Sequence, residues 1–244
     1  MKVVSAGLSL PGWLLLSAGV FVLGIVFVKR QSVQVVPASR PNTEPLKADD
    51  RTVTPPPKST EWSPAVFAAI EWRRFEAVCE TLFGQDGFET RSQTHGADGG
   101  VDIWLYSRHA EGPAAIVQCK HWQGRPVNVK EMREFYGVMA SHQLKRGTYA
   151  TTSTYTVDAR KFAKDNGINA MDGAGVLRLI ATRTPEQQQA LLAVAFEGDY
   201  WRPTCASCGI KLVDRKPSKG GAAFWGCSNY PRCKSTIRMA AASP

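Results

Sequence analysis

The chain has 244 residues, enough for one core domain with smaller modules attached, and a formal net charge of +9. The charge is uneven: residues 1–60 carry +4, residues 61–198 carry −1 and residues 199–244 carry +6. A near-neutral middle between two basic ends excludes a uniformly basic coat for nucleic acid. It places the pull on any polyanion mainly in the C-terminal module.

Residues 8–28 contain no charge and are mostly Leu, Val, Gly and Phe. As a helix this stretch reaches roughly 31 Å, about the thickness of a hydrocarbon core. Pro11 stands near its start and Trp13 suits the interface. A signal peptide is the competing reading, but Lys2 alone supplies its basic region and no small-x-small cleavage site ends the run. Lys29, Arg30, Arg40, Lys47 and Arg51 follow, a positive flank expected to stay cytoplasmic. The expectation is a transmembrane anchor over residues 1–30, single-pass in the cell (inner) membrane, with the rest of the chain cytoplasmic. Residues 31–61, rich in Pro, Ser and Thr and containing Pro55-Pro56-Pro57, read as a flexible linker.

A core domain is expected over residues 62–198. Ser63-Pro64 is a helix start, and the helix should run to Phe83 with Gly84 as its stop. Ala68, Trp72, Phe75, Cys79, Leu82 and Phe83 share one apolar arc, with Glu76 at its margin. A carboxylate there is costly unless it is paired, faces a metal or snorkels to water. Residues 87–94 read as a strand, and residues 95–100, His-Gly-Ala-Asp-Gly-Gly, as a tight turn in which His95 and Asp98 serve the turn.

Two β-rich runs, 101–107 and 114–122, then form a hairpin around the polar segment 108–112. Alternation along the second run puts Gln118 and Lys120 on one side and Cys119 on the other, and the hairpin brings Asp102 toward the former. A carboxylate, an amide oxygen and an ammonium thus converge at a strand end, a combination suited to a divalent metal and a water attacking a phosphate. An amphipathic hairpin with an edge lysine is the plain alternative.

Asn128 with Glu131 reads as a capping box for a helix to about His142. A short strand spans 147–152, and its Thr-Thr-Ser hydroxyls suit phosphate binding or helix capping. A helix begins near Thr156, a brief strand covers 168–171, Asp172 caps a helix to Ile180, and Thr184-Pro185 starts another to about Glu197. Strands and helices mix around a central sheet, so the class is α/β.

Phe75-Glu76, Gly-Ala-Asp-Gly-Gly-Val-Asp-Ile (96–103), Gln-Cys-Lys-His-Trp (118–122), Arg-Glu-Phe-Tyr-Gly (133–137) and Ala-Thr-Thr-Ser (150–153) occur in order. This set resembles the Mrr-type restriction endonucleases of the PD-(D/E)xK superfamily, in the variant with Gln in the acid position. The resemblance runs from about Phe75 to Leu179. It implies a restriction-endonuclease-like mixed central sheet flanked by helices, and catalytic roles for Glu76, Asp102, Gln118 and Lys120. Asp102 and the Gln118 side-chain carbonyl would ligate Mg²⁺, with the Cys119 backbone carbonyl as a further oxygen. Glu76 would act through water or orient the shell. Lys120 would position the attacking water. Gln carries no charge, so Mg²⁺ should bind the free enzyme less tightly than it binds a Glu version.

Cys205-x2-Cys208 and Cys227-x5-Cys233 flank a β-rich loop in residues 199–244, a spacing suited to tetrahedral Zn²⁺; disulfides are disfavoured in a reducing compartment. Cys79 and Cys119 read as small core residues. Phe224 to Cys233, read with the first cysteine pair, resembles the zinc finger at the C-terminus of type IA topoisomerases, over about 204–237. Phe224, Trp225 and Tyr230 among Lys211, Arg215, Lys216, Lys219, Arg232 and Lys234 suit stacking on single-stranded DNA, or else form the finger's own core.

The leading expectation is a membrane-anchored, Mg²⁺-dependent DNA endonuclease of restriction type with a structural Zn²⁺ module. Its partners are DNA and, for double-strand cleavage, a second copy in a homodimer. The alternatives are a non-catalytic DNA-binding or tethering protein on a nuclease fold, and a DNA-repair nuclease.

Overall fold

A computed structural model of the chain describes residues 54–92, 100–108 and 111–239. The expected anchor over residues 8–28 and the turn residues His95 and Asp98 lie outside the described residues. Among the described residues no helix is long and apolar enough to cross a membrane.

The core is a five-stranded mixed sheet in the order β1-β2-β3-β4-β5. Strands β1 (Glu89–Ser92), β2 (Ile103–Tyr106) and β3 (Pro113–Lys120) form an antiparallel meander. Strands β4 (Gly147–Thr151) and β5 (Ile168–Met171) continue it in parallel with β3. Parallel neighbours need crossovers, and α3 (Val129–Ser141) and α4 (Val157–Asp165) supply them. Helices α1 (Pro64–Ala69), α2 (Trp72–Gln85), α5 (Gly173–Ala181) and α6 (Pro185–Ala195) complete the core. The mixed α/β class expected from the sequence is the one observed among the described residues.

Alternation along the strands builds two cores, one per sheet face. Phe75, Val78 and Leu82 of α2 pack with Ile103, Leu105, Val117 and Cys119, and with Ile180 and Leu191 from α5 and α6. Met132, Phe135 and Met139 of α3 pack on the other face with Ile116, Tyr149 and Ile168, and with Ala159 and Ala163 of α4. Cys79 and Cys119 are buried free thiols, as their surroundings in the sequence suggested.

The helix expected over 63–83 is two helices, and it ends later. The chain turns at Ile70 and Glu71, both extended, and α2 runs on to Gln85. Glu71 caps α2 by accepting from Arg73 N at 3.1 Å, and its own N–H donates to Tyr200 O at 2.7 Å. A backbone donor taken by a distant carbonyl cannot serve a continuous helix, so tertiary contact overrides the local period. Gly84 lies inside α2; the first positive φ, +89°, comes at Gly87.

The other helix starts follow local chemistry. Asn128 and Glu131 complete a capping box on α3, Thr184 and Gln187 complete one on α6, and Thr156 and Asp172 cap α4 and α5. The α4–β5 turn is the tightest backbone approach: Gly167 has φ +70°, and a Cβ there would meet Lys145 O at 2.4 Å. Gly167→Ala should therefore destabilise the protein by about 3 kcal/mol, because steric overlap adds to left-handed strain. Urea unfolding measures this, and a loss under about 0.5 kcal/mol, the range of a neutral surface change, would contradict it.

A separate three-stranded antiparallel sheet, β6 (Leu212–Arg215), β7 (Phe224–Cys227) and β8 (Thr236–Arg238), forms the C-terminal module. Its core is small: Cys205, Leu212, Trp225 and Cys227 are buried.

Candidate active site and metal centre

The site forms where β3 ends. The antiparallel ladder between β2 and β3 stops at Ile103 opposite Val117, and Asp102 replaces the next rung. Its N–H donates to Val117 O at 3.0 Å, and its Oδ2 accepts from Cys119 N at 2.6 Å. A charge-assisted bond to a strand amide fixes the carboxylate against β3.

Gln118 and Lys120 line one cavity of about 340 Å³ on the α3 face, with Gly100, Trp122 and Arg125 around them. This is the shared side that strand alternation called for, and Cys119 points into the opposite core. Gly100 has φ +88°, and a Cβ there would stand 3.1 Å from Gln118 Oε1. Glycine therefore leaves the amide oxygen its room.

Glu76 reaches the same strand end from α2. Its side chain is 16% exposed and accepts from Arg73 Nη1 at 3.2 Å. Burial, and then the Asp102 carboxylate, push its carboxyl up to about 7, against the opposing pull of Arg73 and Lys120. The Glu76 carboxyl thus feels both Asp102 and Lys120, Asp102 is fastened to Cys119, and Gln118 and Lys120 share a cavity; Glu76 and Asp102 are not among that cavity's lining residues.

A carboxyl raised from 4.5 to about 7 binds its proton more tightly in the native state than in the unfolded one. Stability without divalent metal should then fall as pH rises across that window, by about 3 kcal/mol in all. Glu76→Gln should flatten this slope in denaturation curves taken from pH 4.5 to 7.5. An unaltered slope would mean that Glu76 titrates as an ordinary carboxylate.

Three details were not anticipated. The Arg125 guanidinium stacks 4.2 Å from the Trp122 ring at the cavity edge and pairs with Glu131 at 2.7 Å. The Thr151 and Thr152 hydroxyls, candidates for phosphate, donate instead to Lys120 O at 2.7 Å and Trp122 O at 3.1 Å, fastening β4 to the end of β3. The His121 ring packs 5.8 Å from the Phe75 ring, and burial lowers its pKa to about 4, so it sits there as a neutral ring. Adjacency to Gln-x-Lys was the available signal for Trp122 and His121; Arg125 gave none.

In the C-terminal module the sulfurs of Cys205, Cys208, Cys227 and Cys233 all lie within 4.8 Å of one another, at 3.4 Å for Cys208–Cys227 and 3.7 Å for Cys205–Cys233. A tetrahedron of zinc–sulfur bonds has edges of about 3.8 Å, so these thiols fit Zn²⁺. Trp225, considered for stacking on bases, is buried in the module's own core, whereas Tyr230 is 60% exposed with Arg215 at 5.8 Å from its ring. Lys211, grouped with the DNA-facing cations, is an internal partner: its Nζ reaches Glu71 Oε1 at 3.2 Å.

Residues 67–180 match the family model described as restriction endonuclease. Residues 202–241 match the topoisomerase DNA binding C4 zinc finger. The chain carries both kinds of domain. It is 35% identical over 109 residues to the type IV methyl-directed restriction enzyme EcoKMrr of Escherichia coli (strain K12), a match covering 43% of this chain and 34% of that one. The chain thus spans about a third of that relative's length. Among solved structures, the DNA modification-dependent restriction endonuclease AspBHI is 21% identical with a TM-score of 0.41, covering 57% of this chain and 42% of that one. A protein of unknown function, AF1548, is 20% identical with a TM-score of 0.38, covering 45% and 65%.

Proposed function

We propose that the protein is a metal-dependent DNA endonuclease of restriction type, with Glu76, Asp102, Gln118 and Lys120 as its catalytic residues. The observation that supports this reading is the Asp102 carboxylate held on the Cys119 amide, between Gln118 and Lys120, which share a cavity at the C-terminal end of β3. The donor set fits a hard divalent cation. It offers only oxygen, and a carboxyl raised by burial and then by a carboxylate neighbour is what a positive charge would relieve. Asp102 and Gln118 would hold Mg²⁺, which when bound supplies Lewis acidity to the scissile phosphate.

The chain's own groups do the rest. The Cys119 amide keeps the Asp102 carboxylate aimed at the strand end. Lys120 orients the attacking water and offsets charge that develops on the phosphate oxygens. Glu76 completes the acidic shell from α2. In the ribbon, exposed Tyr230 and the cations of the C-terminal module other than Lys211 provide backbone contacts and a stacking surface for DNA.

The apolar run of residues 8–28 and its basic flank support a membrane-anchored form with the nuclease on the cytoplasmic side. Alkaline washing of membranes should leave the full chain in the pellet; intact protein in the supernatant would rule the anchor out. Cleavage of both strands with one site per chain calls for a homodimer.

Incubation with supercoiled plasmid separates an enzyme from a DNA tether on the same fold. Nicking or linearisation with Mg²⁺ that stops with chelator supports the nuclease. Shifted but uncut plasmid under every divalent cation would support the tether.

A further inference from the structure

The most heavily bonded side chain outside the proposed site is a carboxylate. Glu71 stands at the elbow between α1 and α2, with its side chain 2% exposed. It accepts from Thr204 N and Thr204 Oγ1, each at 3.2 Å, and pairs with Lys211 Nζ at 3.2 Å. Lys211 is itself held by Asp199 O at 3.0 Å and Arg202 O at 2.8 Å, and Trp72 Nε1 donates to Thr204 O at 2.8 Å.

Thr204 and Lys211 are paired by an isolated bridge, and they bracket the first zinc knuckle. Inside it, Cys205 N donates to Ile210 O at 2.9 Å and Gly209 N to Cys205 O at 2.8 Å. The ring of donors around Glu71 therefore exists only while the knuckle is folded, and four thiols with a metal fold it.

The helix that leaves the elbow meets the proposed site. His121, the residue after Lys120, packs its ring 5.8 Å from the ring of Phe75 in α2. Helix α2, which starts at the elbow, carries Arg73 and Glu76 in its first two turns. The two-residue turn thus bonds to the zinc knuckle and opens the helix that packs on the end of β3 and delivers an acidic residue.

We propose that Glu71 is a positioning residue that ties the elbow to the first zinc knuckle, so that the contact seating the ribbon also sets Glu76 and Lys120 relative to each other. The finger is then part of the nuclease's frame as well as a surface for DNA. This inference rests on the nuclease reading for its catalytic consequence only; the mechanical link between knuckle and elbow stands apart from it. Linkage makes the effect reciprocal: whatever the knuckle does for the elbow, the elbow does for zinc retention.

The test uses the zinc-loaded full chain and three variants, Glu71→Ala, Lys211→Met and Glu71→Gln, none of which removes a group that touches DNA or metal. Two quantities are read: the kinetics of plasmid nicking, and the rate of zinc release to a colorimetric chelator. Glu71→Ala and Lys211→Met should lower kcat by about ten- to a hundred-fold, the cost of a misplaced reacting group, with KM for plasmid nearly unchanged. Both should speed zinc release by about five-fold or more. Glu71→Gln keeps an oxygen for Thr204 and should recover most of both. A folded Glu71→Ala protein with the wild-type kcat and release rate overturns the proposal. If that variant does not fold, Lys211→Met decides, because it alters the link from the half-exposed ribbon side. If the wild-type protein cuts no plasmid, the nuclease reading fails, and zinc release alone decides the clamp: an unchanged rate overturns it, a faster one upholds it.

Discussion

Replacing Asp102 or Lys120 with alanine should lower plasmid cleavage by about a thousand-fold and leave DNA binding within about two-fold, because each supplies charge where the reaction develops it. Asp102 has the stronger claim to a local role. Its Oδ2 takes the Cys119 amide at the point where the β2–β3 ladder ends, so alanine there removes both a ligand and the cap of a strand pair. Asp102→Asn keeps the size and an oxygen acceptor, and separates the two effects. It should fold as the wild type does and cut as poorly as the alanine variant. Lys120→Ala loses an ammonium but no strand bond, since Thr151, Thr152 and Trp122 all bond to its backbone carbonyl. Cleavage rates and gel-shift affinities on one plasmid check both variants. Wild-type cleavage by Asp102→Asn and Lys120→Ala together would remove this site from the mechanism.

Loss of zinc has the second large effect. The ribbon's buried core is Cys205, Leu212, Trp225 and Cys227, too little apolar surface to fold a module of about forty residues unaided. Metal binding contributes about 10–16 kcal/mol to such modules, so Cys208→Ser or Cys227→Ser should unfold it outright. The nuclease core should then weaken as well, by roughly 1–3 kcal/mol, because Glu71 loses the Thr204 and Lys211 donors and water replaces them only in part. Hydrogen exchange should show protection lost across β6, β7 and β8 and reduced at the start of α2. Protection in α2 that is indifferent to the cysteine changes would show the two parts to be independent.

What the sequence disclosed was local in origin. The capping box at Asn128–Glu131 and the Thr184-Pro185 helix start lie within four residues of their own backbone targets, so their pattern is complete in the string. The cysteine spacing and the period-2 placement of Gln118 and Lys120 are local in the same way. The elbow at Ile70–Glu71 was hidden because its partners, Tyr200, Thr204 and Lys211, lie about 130 residues away, while the apolar arc from Ala68 to Phe75 runs through it unbroken. Lys211 misled, and Trp225 stayed open between two roles, for a related reason. A cation and an aromatic in a basic module look the same whether they face DNA or the protein itself, and only packing separates them. Glu76 was legible as an anomaly at the margin of an apolar stripe. That its carboxyl feels burial, Asp102 and Lys120 together needed the fold.

The central claim is that these side chains surround one divalent cation at the end of β3. Iron-directed backbone cleavage tests it most directly: Fe²⁺ substitutes for Mg²⁺, ascorbate and peroxide generate radicals at the bound ion, and the cut positions map its surroundings. The prediction is cuts near residues 76, 102 and 118–120 that compete with Mg²⁺ and vanish in Asp102→Asn, with the zinc ribbon still loaded. Cuts confined to other parts of the chain, or unaffected by Asp102→Asn, would contradict it.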